Sequence, residues 1–152
     1  MVGTLKRPGL WLGLVMVVGA GCGGGRPASV ELAVEKLVSA ARGGDAEAFR
    51  AAFPSPDEVA ELFACPAGMD LAKRFEGLSG DFEGMREAPA KVVSVVVGQR
   101  DDVAPGGAVG ECKAKRGLAL VKATVEVEHG ARKDSYAMRF VVVDGGVAVL
   151  GF

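Results

Sequence analysis

The sequence is poor in the side chains on which enzyme active sites most often depend. Its 152 residues contain one histidine, one tyrosine, one tryptophan and three cysteines, and aromatic residues make up only 6%. There is no Cys-X-X-Cys pair, no Gly-rich loop that ends in Lys-Ser or Lys-Thr, and no serine with histidine in a recognisable motif. These absences argue against redox, phosphate-loop and nucleophilic chemistry.

The chain also lacks an excess of either charge. It carries 18 basic and 19 acidic residues in ordinary globular proportions. Without residues 1–21, which include Lys6 and Arg7 and no acid, 16 basic and 19 acidic residues remain, a net charge of −3. Nucleic-acid binding calls for a basic face, so nucleic acid is not an expected partner. The length predicts one domain.

The longest apolar run is too short to cross a membrane. It spans the eleven residues from Leu10 to Ala20, whereas a membrane-spanning helix needs about 20. Lys6 and Arg7 precede it, and small residues follow it. Repeated glycines argue against a buried helix, because glycine weakens helix interiors. The pattern is typical of a secretory signal peptide over residues 1–21.

The end of this segment, Val18-Gly19-Ala20-Gly21-Cys22, resembles the bacterial lipobox, although Gly19 stands where leucine is usual. The resemblance implies that Cys22 is acylated and becomes the mature N-terminus. The protein is then anchored to a bacterial membrane, with the outer membrane expected, on its periplasmic or surface side. Residues 22–27 read as a short Gly-rich tether. Cleavage without lipidation would instead leave a soluble periplasmic protein.

Four helices are predicted in the first half of residues 28–152. Ser29 caps the first, Asp45 a short second, and Ser55, followed by proline and then glutamate, a third. The third helix is expected to end at Pro66. A fourth begins near residue 68 and is weakened by glycines, with a break expected near Gly80.

The second half predicts strands. Residues 91–99 are β-branched, residues 118–128 alternate between apolar and polar side chains, and 135–143 and 147–152 flank an Asp-Gly turn. Helices followed by antiparallel strands predict an α+β domain, with the helices packed on one face of a curved sheet. The expected core comprises Leu37, Phe49, Phe53, Leu62, Phe63, Phe75, Val125, Phe140 and Val149.

Two stretches resemble the NTF2-like superfamily. Residues 34–53, VEKLVSAARGGDAEAFRAAF, are similar to its opening helix pair, and 140–152, FVVVDGGVAVLGF, to its closing hairpin, with Val147 where tryptophan is expected. The resemblance implies a cone-shaped sheet that either encloses a pocket or is filled. The possible pocket residues are Phe49, Phe53, Phe75, Tyr136 and Phe140. The superfamily includes enzymes, ligand binders and inert modules, so it does not name a function.

Cys65 and Cys112 are the cysteines that remain if Cys22 is acylated. An even remainder in an oxidising compartment predicts a disulfide between them. Two free buried thiols are the alternative, while a redox or metal pair would require closer spacing or further ligands.

The candidate catalytic groups have structural interpretations. His129 and its neighbouring carboxylates could bind a metal, but the sequence around them predicts a solvated turn. Asp101 and Asp102 could form a carboxylate pair for acid–base catalysis, but they too are predicted to lie in a turn. We expect no acid on the inner sheet face beside Tyr136. The segment from about residue 54 to 117 does not resemble the superfamily. Acids in this segment could face inward if its helices are rotated relative to the prediction; these acids are Glu76, Asp81, Glu83 and Glu111.

Three functions are therefore expected, in descending order. The first is a non-catalytic structural or interaction module of the cell envelope, with another envelope protein as its partner. The second is a binding protein for a small apolar ligand, and the third is an isomerase-like enzyme. No catalytic residue, cofactor or metal is expected. A filled core would favour the first function, and an apolar cavity with a polar group inside would favour the second.

Overall fold

The computed structural model describes residues 25–69 and 71–151, but not the side chains at positions 71, 72, 74 and 75. The predicted signal peptide over residues 1–21, the lipidation site Cys22 and half of the tether therefore lie outside the described residues. So does the side chain of Phe75, which the sequence places in the core.

The described residues form an α+β domain in which helices come first and antiparallel strands follow. The helices are α1 (Val30–Gly43), α2 (Ala46–Ala51), α3 (Pro56–Leu62) and α4 (Leu71–Glu87). The strands are β1 (Phe63–Ala64), β2 (Lys91–Val103), β3 (Ala108–Val109), β4 (Cys112–Ala114), β5 (Leu118–His129), β6 (Arg132–Val143) and β7 (Gly146–Gly151). In the part of the chain that is described, none of the helices has the length and apolar character needed to cross a bilayer.

The starts of the first three helices are fixed by the predicted caps. The side chains of Ser29 and Asp45 accept hydrogen bonds from the backbone N–H groups of Leu32 and Ala48. Ser55 and Glu58 form a reciprocal capping box at the start of α3. Each cap satisfies N–H groups that have no partner within the first turn, so each helix starts where the sequence predicts.

The main sheet has the strand order β2-β5-β6-β7 and is antiparallel throughout. Asp144 and Gly145 connect β6 to β7 with φ angles of 51° and 77°, the left-handed conformation that a tight hairpin requires. We call this end of the sheet the proximal end. The other end, where Gly130 and Ala131 connect β5 to β6, is the distal end.

The two faces of the main sheet are covered differently. The inner face packs along its length against α1, α2 and α4. Among the described residues, the outer face is covered only toward the proximal end, by the end of α3 and a small sheet of order β1-β4-β3. Consecutive strand residues point to opposite faces, so Phe140 belongs to the inner cluster and Val141 to the outer one. Every core residue predicted from the sequence is buried, except Phe75, whose side chain is not described.

Several expectations about element boundaries were wrong. Helix α3 ends at Leu62, well before Pro66, because β1 begins at Phe63. Helix α4 runs unbroken through Gly80. Asp101 and Asp102 lie within β2 rather than in a turn, because the strand continues to pair with β5 there. His129 is the last residue of β5, since the distal turn contains only Gly130 and Ala131.

Candidate functional site

An open cleft of about 540 Å³ lies between the helices and the inner sheet face, at the distal end. Its walls come from α1, α4, β5 and β6. Most of the lining is apolar, and it includes Val34, Leu37, Val38, Met85, Val125, Val127 and Met138. Because these residues belong to several elements, the cleft depends on the tertiary fold and not on one local motif.

Two glycines of α4 leave room for the cleft. Gly80 and Gly84 are four residues apart and therefore lie on one helix face, and both line the cleft. A Cβ atom built at either position meets no atom within 4 Å. In the sequence, these glycines predict weak points of the helix. In the structure they keep this part of the helix surface free of side chains opposite the sheet.

Polar groups gather where the cleft meets the distal turn. Arg132 Nε donates to Asp134 Oδ1 over 2.9 Å, and His129 Nε2 lies 3.9 Å from the other oxygen of Asp134. His129 Nδ1 is 3.0 Å from the carbonyl oxygen of Ala88, which accepts a hydrogen bond when Nδ1 carries the proton. Tyr136, 43% exposed, completes the polar rim. The rim thus places donors and an acceptor at one end of an apolar surface.

The expectation that no acid lies on the inner face was wrong. Strand β6 begins at Arg132, three residues earlier than predicted, so Asp134 shares a face with Tyr136 and Met138. Its side chain is only 20% exposed and lines the cleft. Asp81 also lines this cleft, and both Asp81 and Glu111 line a second groove, described below, but both residues are exposed.

The predicted disulfide between Cys65 and Cys112 is present, with a Cα–Cα distance of 4.2 Å. It joins the residue after β1 to the first residue of β4 and therefore holds the small sheet together. Met69 Sδ lies 3.6 Å from Cys112 Sγ. A groove of about 440 Å³ runs past the disulfide and is lined by Phe53, Phe63 and Leu150 among others.

The four described aromatic residues of the pocket considered from the sequence do not line one cavity. Phe49 and Phe140 are fully buried in the inner core, where the ring of Phe49 contacts those of Phe53 and Phe82. Phe53 lines the groove beside the disulfide, and Tyr136 lines the distal cleft. The side chain of Phe75 is not described. Sequence reasoning identified Tyr136 but missed His129, Asp134 and the two glycines as neighbours of one cleft.

The chemistry of the distal cleft suits an apolar ligand with a small polar group. Four of its polar side chains, those of His129, Arg132, Asp134 and Tyr136, gather at the distal rim, and Asp81 is an exposed carboxylate on the α4 side. The rest of its lining is apolar or glycine and offers dispersion contacts. Across residues 25–69 and 71–151, no three His, Cys, Asp or Glu side chains are grouped so that they could hold a metal ion.

Comparisons of this chain with protein-family models, with curated proteins and with solved structures gave no match.

Proposed function

We propose that this chain is an exported bacterial lipoprotein, anchored through Cys22, whose domain binds a small apolar ligand without catalysing a reaction. The observation that carries the binding function is the distal cleft. Its volume of about 540 Å³ falls within the range of small-molecule sites, roughly 300–1,000 Å³. Such sites combine apolar walls with a few polar groups that orient the ligand, and the rim at Asp134 and Tyr136 has this character.

The proposal of export rests on the sequence and on the disulfide. Residues 1–21 have the pattern of a signal peptide, and the lipobox-like segment ends at Cys22. Disulfides persist in oxidising compartments, such as the bacterial periplasm, and are rare in the cytosol. The bond between Cys65 and Cys112 therefore agrees with a protein that has left the cytosol.

The proposed fold type is the NTF2-like cone. Helices α1 and α2 form the opening helix pair and β6 and β7 the closing hairpin that the resemblance implies, and α1, α2 and α4 lie on one face of the main sheet. A site between helices and the inner face of a curved sheet fits that architecture. The resemblance itself assigns no ligand.

The cleft is proposed to be non-catalytic because the half-buried acid of its rim and the only histidine are both engaged in contacts with the protein. The Asp134 carboxylate accepts from Arg132, and His129 contacts the Ala88 carbonyl. An isomerase-like reaction needs a base held in an apolar pocket and free to reach its substrate. Asp134 instead has a cationic partner and partial access to water.

A second candidate function is a structural or interaction module that takes no small ligand. The observation in its favour is that the core beneath the cleft is filled. Phe49, Phe140 and Val149 are each fully buried, and the cleft opens onto the surface instead of lying inside the cone. A ligand-binding measurement separates the two candidates.

The cleft is tested by filling it. Gly84→Leu places an apolar side chain in the space of the cleft and is expected to weaken binding of the neutral dye N-phenyl-1-naphthylamine about tenfold or more, or ~1.4 kcal/mol. Because glycine disfavours helix interiors, the change should stabilise α4 by about 0.5–1 kcal/mol. Lost binding could then not be blamed on unfolding. Dye fluorescence is titrated in the Cys22→Ser background, so that no membrane or detergent competes.

Gly77→Leu is the matched control. Gly77 lies on the same helix, its Cβ position is open, and it does not line the cleft. This variant should gain similar helix stability and keep dye binding. If Gly84→Leu and Gly77→Leu bind the dye equally well, the dye does not use the cleft. If the protein with both glycines intact does not bind the dye, the interaction module is favoured.

The anchor is tested separately with Cys22→Ser. Removal of the thiol removes the only acylation site proposed, so the protein should move from the membrane fraction to the soluble fraction. In a detergent phase separation, the wild-type protein should enter the detergent phase. A wild-type protein that stays in the aqueous phase contradicts the lipid anchor.

A further inference from the structure

The chain enters the domain at the proximal end and is held there. Val147 N–H donates to the carbonyl oxygen of Pro27 over 2.9 Å, next to the start of β7. Arg26 bonds to Glu58 of α3 over 2.5 Å. Gly146 lies so close to Arg26 that an added Cβ would be 2.7 Å from the Arg26 side chain. Residues 26 and 27 therefore belong to the folded domain and not to a free linker.

This attachment shortens the effective tether. Between Cys22 and Arg26 the chain has only four Cα–Cα steps, which span at most about 14 Å. The proximal end must therefore stay within that distance of an acylated Cys22. The distal turn lies at the other end of β6, twelve residues long, at about 3.4 Å per residue or roughly 40 Å away.

We propose that the proximal end faces the lipid bilayer and that the distal cleft opens away from it, toward the aqueous phase. The proximal surface is defined by Arg26, Arg116, Asp144, Gly145 and Gly146. This inference rests on the anchor at Cys22 of the proposed function. Its consequence is that a ligand reaches the cleft from the aqueous side and is not drawn directly from the bilayer that holds the anchor.

The charges of the proximal surface do not supply a separate attraction to lipid. Arg26 is paired with Glu58, and Arg116 Nη2 lies 2.8 Å from Asp144 Oδ2. Clusters of basic residues bind anionic headgroups with about 1 kcal/mol per residue, but here each of these arginines has a carboxylate partner. The covalent tether therefore sets the orientation, which should be the same on zwitterionic and on anionic vesicles.

Energy transfer from a single tryptophan to the membrane measures the orientation. The only tryptophan, Trp11, lies in the predicted signal peptide, so the processed chain has none. Gly117→Trp places a donor beside Arg116 at the proximal end, and Ala131→Trp places one in the distal turn. Both positions are exposed, and the Cβ position of Gly117 is open. The natively exported proteins are reconstituted into vesicles that carry a dansyl headgroup lipid.

Transfer from position 117 is expected to be several-fold more efficient than from position 131, on neutral phosphatidylcholine vesicles and on vesicles with added phosphatidylglycerol. Equal transfer from both positions, or greater transfer from position 131, overturns the orientation. A preference that appears only with phosphatidylglycerol also overturns it, because electrostatic attraction would then set the orientation.

Mass spectrometry of the same samples reports on the anchor independently. Acyl chains on Cys22 support the proposed function, and their absence contradicts it. In that case the Cys22 thiol of the full chain, the one cysteine outside the disulfide, is coupled to a maleimide lipid. The full chain contains Trp11, so the energy transfer of the chain without an added tryptophan is measured and subtracted. Transfer from position 117 should again exceed transfer from position 131.

Discussion

The two faces of the main sheet are stabilised in different ways. Within residues 25–69 and 71–151, the inner cluster contains nineteen buried apolar residues. They come from α1, α2 and α4, from β5, β6 and β7, and from two connecting segments, which contribute Phe53 and Ala90. The outer cluster contains six, and it lies under a cover made of the end of α3 and strands of two or three residues. Only the outer cover carries a disulfide.

The difference shows how the size of a core relates to covalent reinforcement. A large apolar cluster offsets the conformational entropy of the chain by burial alone. Strands as short as β1 and β3 bury too little surface to hold a sheet together, and small scaffolds of this kind usually need a staple. The bond between Cys65 and Cys112 is positioned to supply it.

The largest loss of stability is expected from Phe140→Ala in the inner cluster. Phe140 is fully buried, and truncation of a core phenylalanine typically costs about 3–5 kcal/mol through lost burial and a residual cavity. Its neighbour Val141 faces the outer cluster, so Val141→Ala serves as the control and should cost about 2 kcal/mol. Urea unfolding midpoints measure both. If the two changes cost the same, the inner face is not the dominant core.

Removal of the disulfide is expected to destabilise the outer cover by up to about 4 kcal/mol. This is the chain-entropy value for cysteines 47 residues apart, and native strain would lower it. In the variant Cys65→Ser/Cys112→Ser, hydrogen exchange should accelerate in β3 and β4 while α1 and β6 keep their protection. A reductant should produce the same change in the wild-type protein and none in the double variant. Equal acceleration throughout the domain would contradict a local role.

Local signals in the sequence predicted much of this architecture. The caps at Ser29, Asp45 and Ser55 depend on contacts within one helical turn, so the residues themselves encode them. The alternation in β5 similarly predicted which side chains face the core, and Val125 and Val127 are buried as expected. Burial of one face of a strand leaves a period of two in the sequence, whatever the partner strand is.

The small sheet could not be predicted in this way. Strands of two or three residues are too short to show a period, and their pairing depends on β1 being brought to β4 across the disulfide. The pairing of Asp101 with Leu120 is likewise set by the neighbouring strand and overrides the turn preference of aspartate. In both cases the deciding contact is distant in sequence.

The cleft was missed for a related reason. Asp134 was placed in a turn, and a shift of the strand start to Arg132 moved it onto the inner face. Gly80 and Gly84 matter because they have no side chains to fill the space between α4 and the sheet. A sequence pattern does not show such empty space. Only the packing of α4 against the sheet gives these glycines a meaning beyond low helix propensity.

The smallest expected effect concerns the polar contacts of α3, the helix that leads into the outer cover. Partial burial raises the pKa of Glu58, but the hydrogen bond from the Ser55 N–H and the hydrogen bond and charge of Arg26 outweigh it. The pKa of Glu58 therefore lies below its ordinary value. A carboxyl of this kind stabilises the fold above its unfolded pKa, and that contribution is lost as the pH falls through the folded pKa.

Glu58→Gln tests this contribution because glutamine can keep the capping box while the charge is removed. At neutral pH the variant should be about 0.2–1 kcal/mol less stable than the wild-type protein, the range for exposed ion pairs. The difference should shrink in urea titrations as the pH falls below the ordinary glutamate pKa, about 4.3, and through the lower folded pKa of Glu58. Glu61→Gln, on the same helix but without an ion pair among the described residues, should show no such trend. If both variants follow the same pH dependence, the contact between Arg26 and Glu58 does not stabilise the attachment of α3, and burial and the disulfide alone account for the outer cover.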